Sequence, residues 1–187
     1  MDKIIKIYDN IVPEHISDQI YNLTLGHDNR FPWVYSSCLT FPPDHPKYKF
    51  KPGIKHIIYN EVEPPSPYLF QLLQPLYCFS LKLSVEIEKV ISMYSFLDLP
   101  NPKPGPDLPP HVDNDYPHFV LLYYINDSDG DTFLFENDQK TIIKKVTPKK
   151  GRCVFFDGSI YHCGSTSGIS SRAVINFNFL GKKLDTK

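Results

Sequence analysis

The sequence has little glycine, little cysteine, no net charge to speak of and no long apolar run, and each shortage excludes something. Nine glycines in 187 residues leave no glycine-rich low-complexity tract, and no internal repeat is visible. Four cysteines, Cys38, Cys78, Cys153 and Cys163, show no Cys-x-x-Cys spacing and are too few for a disulfide framework, so reduced thiols in a cytoplasmic setting are expected. A formal charge of −1, from 20 basic and 21 acidic side chains, excludes a general nucleic-acid-binding surface. No stretch approaches the roughly 18 apolar residues of a membrane helix, and residues 1–10 alternate charge with Ile and lack the apolar core of an export signal. The expectation is a protein with no membrane association.

What is plentiful is proline, with 18 residues, and the aromatics, with 26. Proline removes a backbone donor and fixes φ, while Phe, Tyr, Val and Ile favour pleated segments, so short strands joined by stiff connections are expected in place of a helical bundle. Two helices are readable near the start. Ile16, Ile20 and Leu23 recur at helical spacing after Pro13, with Gly26 placed for a left-handed cap. Ser66-Pro67 can open a second, with Leu69, Phe70, Leu72 and Leu73 as its buried face before Pro75 disturbs it. From Leu81 the period changes to two: Leu81, Leu83, Val85 and Ile87 alternate with Lys82, Ser84, Glu86 and Glu88.

Residues 100–110 hold six prolines and read as a stiff extended loop leading to His111. Beyond it, short runs at 118–126, 132–136, 141–146, 153–156, 161–164 and 172–180 are separated by turn signals. Seven or eight such strands without a helical pattern predict a mainly β chain with flanking helices, an antiparallel sandwich or closed barrel such as a jelly roll. One domain, 1–187, is expected, with 1–80 supplying buttress helices and strands and 81–187 the jelly-roll core. The basic stretch 140–152 reads as an edge strand with a solvated face.

Chemistry concentrates in the strand-rich half. His111 and Asp113 are two apart, so on an extended segment they share a face, and His162 follows Asp113 by 49 positions. Two imidazoles and a carboxylate on one face of an octahedron leave three positions open, the ligand set of non-haem Fe(II) oxygenases. Taken singly, none of these residues is specific. Arg172, ten positions after His162, opens the apolar strand Ala173-Val174-Ile175-Asn176-Phe177, where a permanent charge is costly without an anion. Alone, it would be read as half of a surface salt bridge. Cys163, beside His162 on an extended segment, faces away from it and reads as a packed thiol, and His118 as a surface or supporting residue.

Together these residues resemble the Fe(II)- and 2-oxoglutarate-dependent oxygenases, in their prolyl 4-hydroxylase-like branch, over about residues 90–181. His111-Val112-Asp113-Asn114 is similar to the metal motif of the oxygen-sensing prolyl hydroxylases. Leu122-Tyr123-Tyr124-Ile125-Asn126 resembles the family strand that follows, Asp129-Gly130-Asp131-Thr132-Phe133-Leu134 its glycine-containing turn, and Val154-Phe155-Phe156-Asp157 the approach to the distal His. The turn has Gly130-Asp131 where the family often has Gly-Gly, and the proline-rich insertion has no close counterpart.

The resemblance implies a jelly-roll core, or double-stranded β-helix, in which His111, Asp113 and His162 hold Fe(II) and Arg172 pairs with the distal carboxylate of 2-oxoglutarate. Tyr124 would share that carboxylate and Tyr94 would reach the cosubstrate. Tyr123 and Tyr124 face opposite sides of a strand, and only the family pattern picks Tyr124. The implied reaction uses O2, converts 2-oxoglutarate to succinate and hydroxylates a prolyl or other side chain of a protein or peptide. The same chemistry on a nucleic-acid or small-molecule substrate, and a non-catalytic binding module on the same fold, are the alternatives.

Overall fold

The computed structural model describes residues 3–27, 30–37, 39, 52–101 and 109–183. The proline-containing segments 41–48 and 100–110 are the candidate entrance loops of the sequence; the first and most of the second lie outside the described residues, as does Cys38. In chain order the elements are β1 (Ile5–Tyr8), α1 (Glu14–Leu25), β2 (Val34–Ser36), β3 (Gly53–Tyr59), α2 (Leu69–Leu72) and α3 (Gln74–Leu83). Then come β4 (Val85–Asp98), β5 (Phe119–Tyr124), β6 (Thr132–Phe135), β7 (Ile142–Val146), β8 (Cys153–Asp157), β9 (Tyr161–Gly164) and β10 (Arg172–Lys183). The fold is mainly β with flanking helices, a double-stranded β-helix of seven strands in the order β1-β8-β5-β10-β4-β3-β2 against three in the order β7-β6-β9.

Two apolar layers follow from strand alternation. Val120, Leu122 and Tyr124 of β5, Val154 and Phe156 of β8 and Val174 of β10 point between the sheets and meet Leu134, Val146 and Ile160. The intervening residues, Leu121, Tyr123, Cys153, Phe155, Ile175, Phe177 and Phe179, face the other way and pack with Ile20, Leu72, Leu76 and Phe79 of the helices. An aromatic cluster ties this outer layer together: Phe79 lies 4.9 Å from Phe155 and 6.3 Å from Phe179, centroid to centroid.

The helices depart from the sequence expectation in three places. Gly26 has φ −66° and ψ 166°, so α1 ends by extension and not through a left-handed cap. Phe70, read as part of a buried face, is exposed, whereas Pro75 does interrupt the helix: α2 ends at Leu72 and α3 opens at Gln74 with Pro75 in its first turn, where a missing N–H costs nothing. The alternation from Leu81 is helical up to Leu83: Leu76, Phe79 and Leu83 form the packed face and Leu81 is exposed, and the left-handed Ser84 (φ 51°) stops the helix so that the strand starts at Val85. Leu81 and Leu83 alternate with polar neighbours, yet only Leu83 packs against the core, as helical spacing with Leu76 and Phe79 requires.

β7 forms an edge of the smaller sheet, and three of the six basic side chains of 140–152 are ion-paired. Lys145 pairs with Asp131 at 2.8 Å, Lys150 with Asp18, and Arg152 with Asp9 at 2.7 Å, the last two bracing this region on the N-terminal segment. His118, read as a surface or supporting residue, is buried and so not on the surface, because Gly158 turns directly against it: a β-carbon there would come within 2.3 Å of the imidazole. Phe79 joins the helical layer to the sheet, so Phe79→Ala is expected to lower unfolding free energy by about 3–5 kcal/mol in urea titration.

Candidate functional site

A cavity of about 1130 Å³ opens between the sheets and extends toward β2 and β3. Its floor comes from the inner faces of two adjacent strands. The register of β10 on β4 sets Arg172 opposite Asp98, Val174 opposite Phe96, Asn176 opposite Tyr94 and Asn178 opposite Ser92, and all eight line the cavity.

His111 and His162 are joined through the backbone. Each N–H donates to the other's carbonyl, at 3.0 and 2.9 Å, forming one antiparallel bridge that holds the imidazole centroids 4.8 Å apart. His111 is thus the sole bridged residue of its segment and Asp113 lies in a bend, not on a strand as their spacing suggested, yet both face the same cavity. His162 is carried by β9, opposite Leu134 of β6, with Phe156 edge-on at 5.0 Å.

The ligand-bearing atoms converge. Asp113 Oδ1 lies 3.7 Å from His111 Nε2 and 3.6 Å from His162 Nε2, and the three groups are within 4.8 Å of one another, the one such cluster among the described residues. Backbone carbonyls fix the tautomers: Nδ1 of His111 donates to Pro109 O and Nδ1 of His162 to Ile160 O, each at 3.1 Å. A carbonyl can only accept, so in each neutral ring the lone pair sits on Nε2, aimed at a carboxylate oxygen. Three electron-rich atoms facing one point require a cation between them, or a proton. Imidazoles oriented by their second nitrogen and a carboxylate fit a divalent metal with open positions, whereas a closed zinc site would have a fourth protein ligand.

The proton balance reflects the same crowding. Burial, together with the positive charge of His162, pushes His111 down to about 4. Burial opposes ionisation of Asp113, but the two imidazoles and an amide donor outweigh it and hold the carboxyl well below its usual range. Burial likewise opposes the His162 imidazolium, but Asp113 overcomes it and raises that pKa.

Asn176 supplies the amide. Its Nδ2 donates to Asp113 Oδ2 at 2.8 Å, which leaves Oδ1 turned to the imidazoles, while its own Oδ1 is buried without a hydrogen-bond partner among the described residues. Reading β10 as an apolar run passed over this residue. The signal was there: Asn176 and Asn178 lie four and six positions from Arg172 and therefore share its face.

Arg172 is buried, and its side chain is 6% exposed. Nη1 donates to Asp98 Oδ2 at 3.0 Å and Nη2 to Thr132 Oγ1 at 2.9 Å. Two glycines give it room: β-carbons at Gly130 and Gly164 would lie 3.0 Å from its Cδ and 3.1 Å from its Nη1. Tyr124 is on the inner face and Tyr123 in the helical layer, so strand alternation separates the adjacent tyrosines. The Tyr124 phenol donates to Thr132 Oγ1 at 2.7 Å, its ring lies 5.8 Å from the guanidinium, and Thr132, not Tyr124, lines the cavity. Tyr94 lines the cavity opposite Asn176, toward the His-Asp-His cluster, stacked on Phe96 at 6.0 Å. Asp98 and Thr132 were not singled out by the sequence.

No protein-family model matches the sequence, and no curated protein matches it. Its likenesses are to solved structures. A prolyl hydroxylase from Trichoplax adhaerens, in complex with a peptide from the hypoxia inducible factor oxygen degradation domain, superposes with a TM-score of 0.68 at 14% identity, over 94% of this chain and 83% of that one. An oxidoreductase of the 2OG-Fe(II) oxygenase family from Burkholderia pseudomallei gives 0.66 at 11% identity, over 97% and 87%. A prolyl-4-hydroxylase from Pseudomonas putida gives 0.59 at 14% identity, over 96% and 92%. The chain has the fold of the Fe(II)- and 2-oxoglutarate-dependent oxygenases, with prolyl hydroxylases among the structures it resembles.

Proposed function

We propose that this protein is an Fe(II)- and 2-oxoglutarate-dependent dioxygenase that hydroxylates a prolyl or other side chain in a protein or peptide. The observation that carries the reading is the convergence of His111 Nε2, Asp113 Oδ1 and His162 Nε2 in the same cavity as a buried guanidinium. His111, Asp113 and His162 would hold the iron, which with 2-oxoglutarate and O2 supplies oxidising chemistry that leaves succinate and CO2. The chain's own part is positioning. The Pro109 and Ile160 carbonyls orient the imidazoles, and Asn176 orients the carboxylate. Arg172 binds the distal carboxylate of 2-oxoglutarate, with the Thr132 hydroxyl beside it and Tyr124 bracing Thr132 from behind. Leu122, Phe96 and Val174 line the space between with apolar surface and limit water there.

A macromolecular substrate is favoured by the outer part of the cavity. At about 1130 Å³ it exceeds what the cosubstrate needs, and Tyr35, Val62, Leu99 and Tyr116 line it while remaining largely exposed. Exposed aromatic and aliphatic side chains around a polar floor suit an extended peptide held across the mouth. The likeness to the Trichoplax prolyl hydroxylase, solved with a peptide, agrees with this.

Anaerobic addition of Fe(II) and then 2-oxoglutarate is expected to produce a visible absorption band, and admission of O2 to release succinate even without substrate. Asp113→Ala should abolish both; full succinate release by that variant refutes the metal assignment. Arg172→Ala should raise the KM for 2-oxoglutarate at least tenfold with the metal affinity retained. Asn176→Ala should weaken Fe(II) binding by about 10–100-fold, the usual cost of losing a group that orients a metal ligand, while circular dichroism shows an intact fold. Turnover on peptide, nucleotide and metabolite panels identifies the substrate class.

A further inference from the structure

Arg172 already has a counter-ion. Asp98 is its cross-strand partner and accepts from Nη1 at 3.0 Å, so the guanidinium is neutralised by the chain itself. Nη2 is taken by Thr132, and Nε is buried with no hydrogen-bond partner among the described residues. A cation this buried is stabilised by one carboxylate, and a second brings like charges together in a site where water screens them poorly. The distal carboxylate of 2-oxoglutarate would be that second charge.

The two members of the pair are not equally free to move. Arg172 is 6% exposed and confined by Gly130, Gly164, Thr132 and the Tyr124 ring. The Asp98 side chain is 23% exposed, lines the cavity and belongs to the last residue of β4, followed by the exposed Leu99. A rotation of the Asp98 side chain toward solvent restores its hydration. No comparable exit exists for Arg172.

We propose that Asp98 is a built-in competitor for the cosubstrate's carboxylate: it closes an ion pair with Arg172 when the 2-oxo acid is absent, and the pair opens when a dicarboxylate binds. Asp98 thereby sets the affinity for 2-oxoglutarate and keeps the buried guanidinium neutralised between turnovers. The inference rests on the reading of Arg172 as the cosubstrate anchor.

Its test is binding, not turnover. With Mn(II) as a redox-stable metal, calorimetric titration of 2-oxoglutarate should give a Kd about tenfold lower for Asp98→Asn and Asp98→Ser than for wild type, whereas Asp98→Glu stays near wild type. Without 2-oxoglutarate, Asp98→Asn should melt below wild type, because Arg172 has lost its counter-ion, and saturating 2-oxoglutarate should raise its melting temperature more than it raises that of wild type. Unchanged or weaker binding in the neutral variants overturns the inference. Wild type gives an independent reading that needs no variant: a crystal structure with 2-oxoglutarate bound should show the Asp98–Arg172 pair opened, and an intact pair beside the bound acid overturns the inference. If 2-oxoglutarate binds wild type and Arg172→Ala weakens it while the Asp98 variants do not differ, only the competitor role falls. If it binds none of them, the cosubstrate assignment falls as well.

Discussion

The two faces of β10 constrain everything else in this molecule. The strand is central in the seven-stranded sheet, between β5 and β4, and strict alternation sends its side chains to two different environments. Ala173, Ile175, Phe177 and Phe179 go to the layer under the helices. Arg172, Asn176 and Asn178 go to the cavity. A slip of one residue would turn the guanidinium to the opposite face of the sheet and empty the cavity of its polar floor, so the aromatic packing on one side enforces the chemistry on the other.

The cavity's polarity is graded along that strand. At the Asn176 end lie a carboxylate, two imidazoles with fixed tautomers and an amide that aims the carboxylate. At the Arg172 end lie a guanidinium, a hydroxyl and a second carboxylate. A cation-demanding cluster and a guanidinium–carboxylate pair thus stand at opposite ends of an apolar strip made by Leu122, Phe96 and Val174. A ligand with a chelating end and an anionic end is the molecule such a cavity suits. The backbone bridge between His111 and His162 makes the first end rigid, since it ties a segment of little regular structure to β9 by two hydrogen bonds.

The two imidazoles of the cluster differ in how readily they take a proton. Burial and mutual repulsion keep His111 neutral well into acid, while Asp113 supports a proton on His162. A metal held by this cluster would replace any proton shared between Asp113 and His162, and its binding would then depend on pH.

The sequence by itself determined the class of element and nominated the residues from which the chemistry is proposed. Proline and aromatic excess implied strands, turn residues divided them at nearly the observed places from β5 to β10, and His111, Asp113, His162 and Arg172 in that order carried the resemblance. These are local or one-dimensional signals. Where two local readings coincided, as at Leu81 and Leu83, spacing could not choose between helix and strand, and the packing of Phe79 and Leu76 on the sheet chose the helix. Only the tertiary structure decided what stands beside what. That Tyr124 and not Tyr123 approaches Arg172, that Asn176 grips Asp113, and that Asp98 neutralises the arginine from 74 positions away all depend on the register of antiparallel neighbours. Register is set by the summed packing of whole strands, and no short stretch of residues contains it.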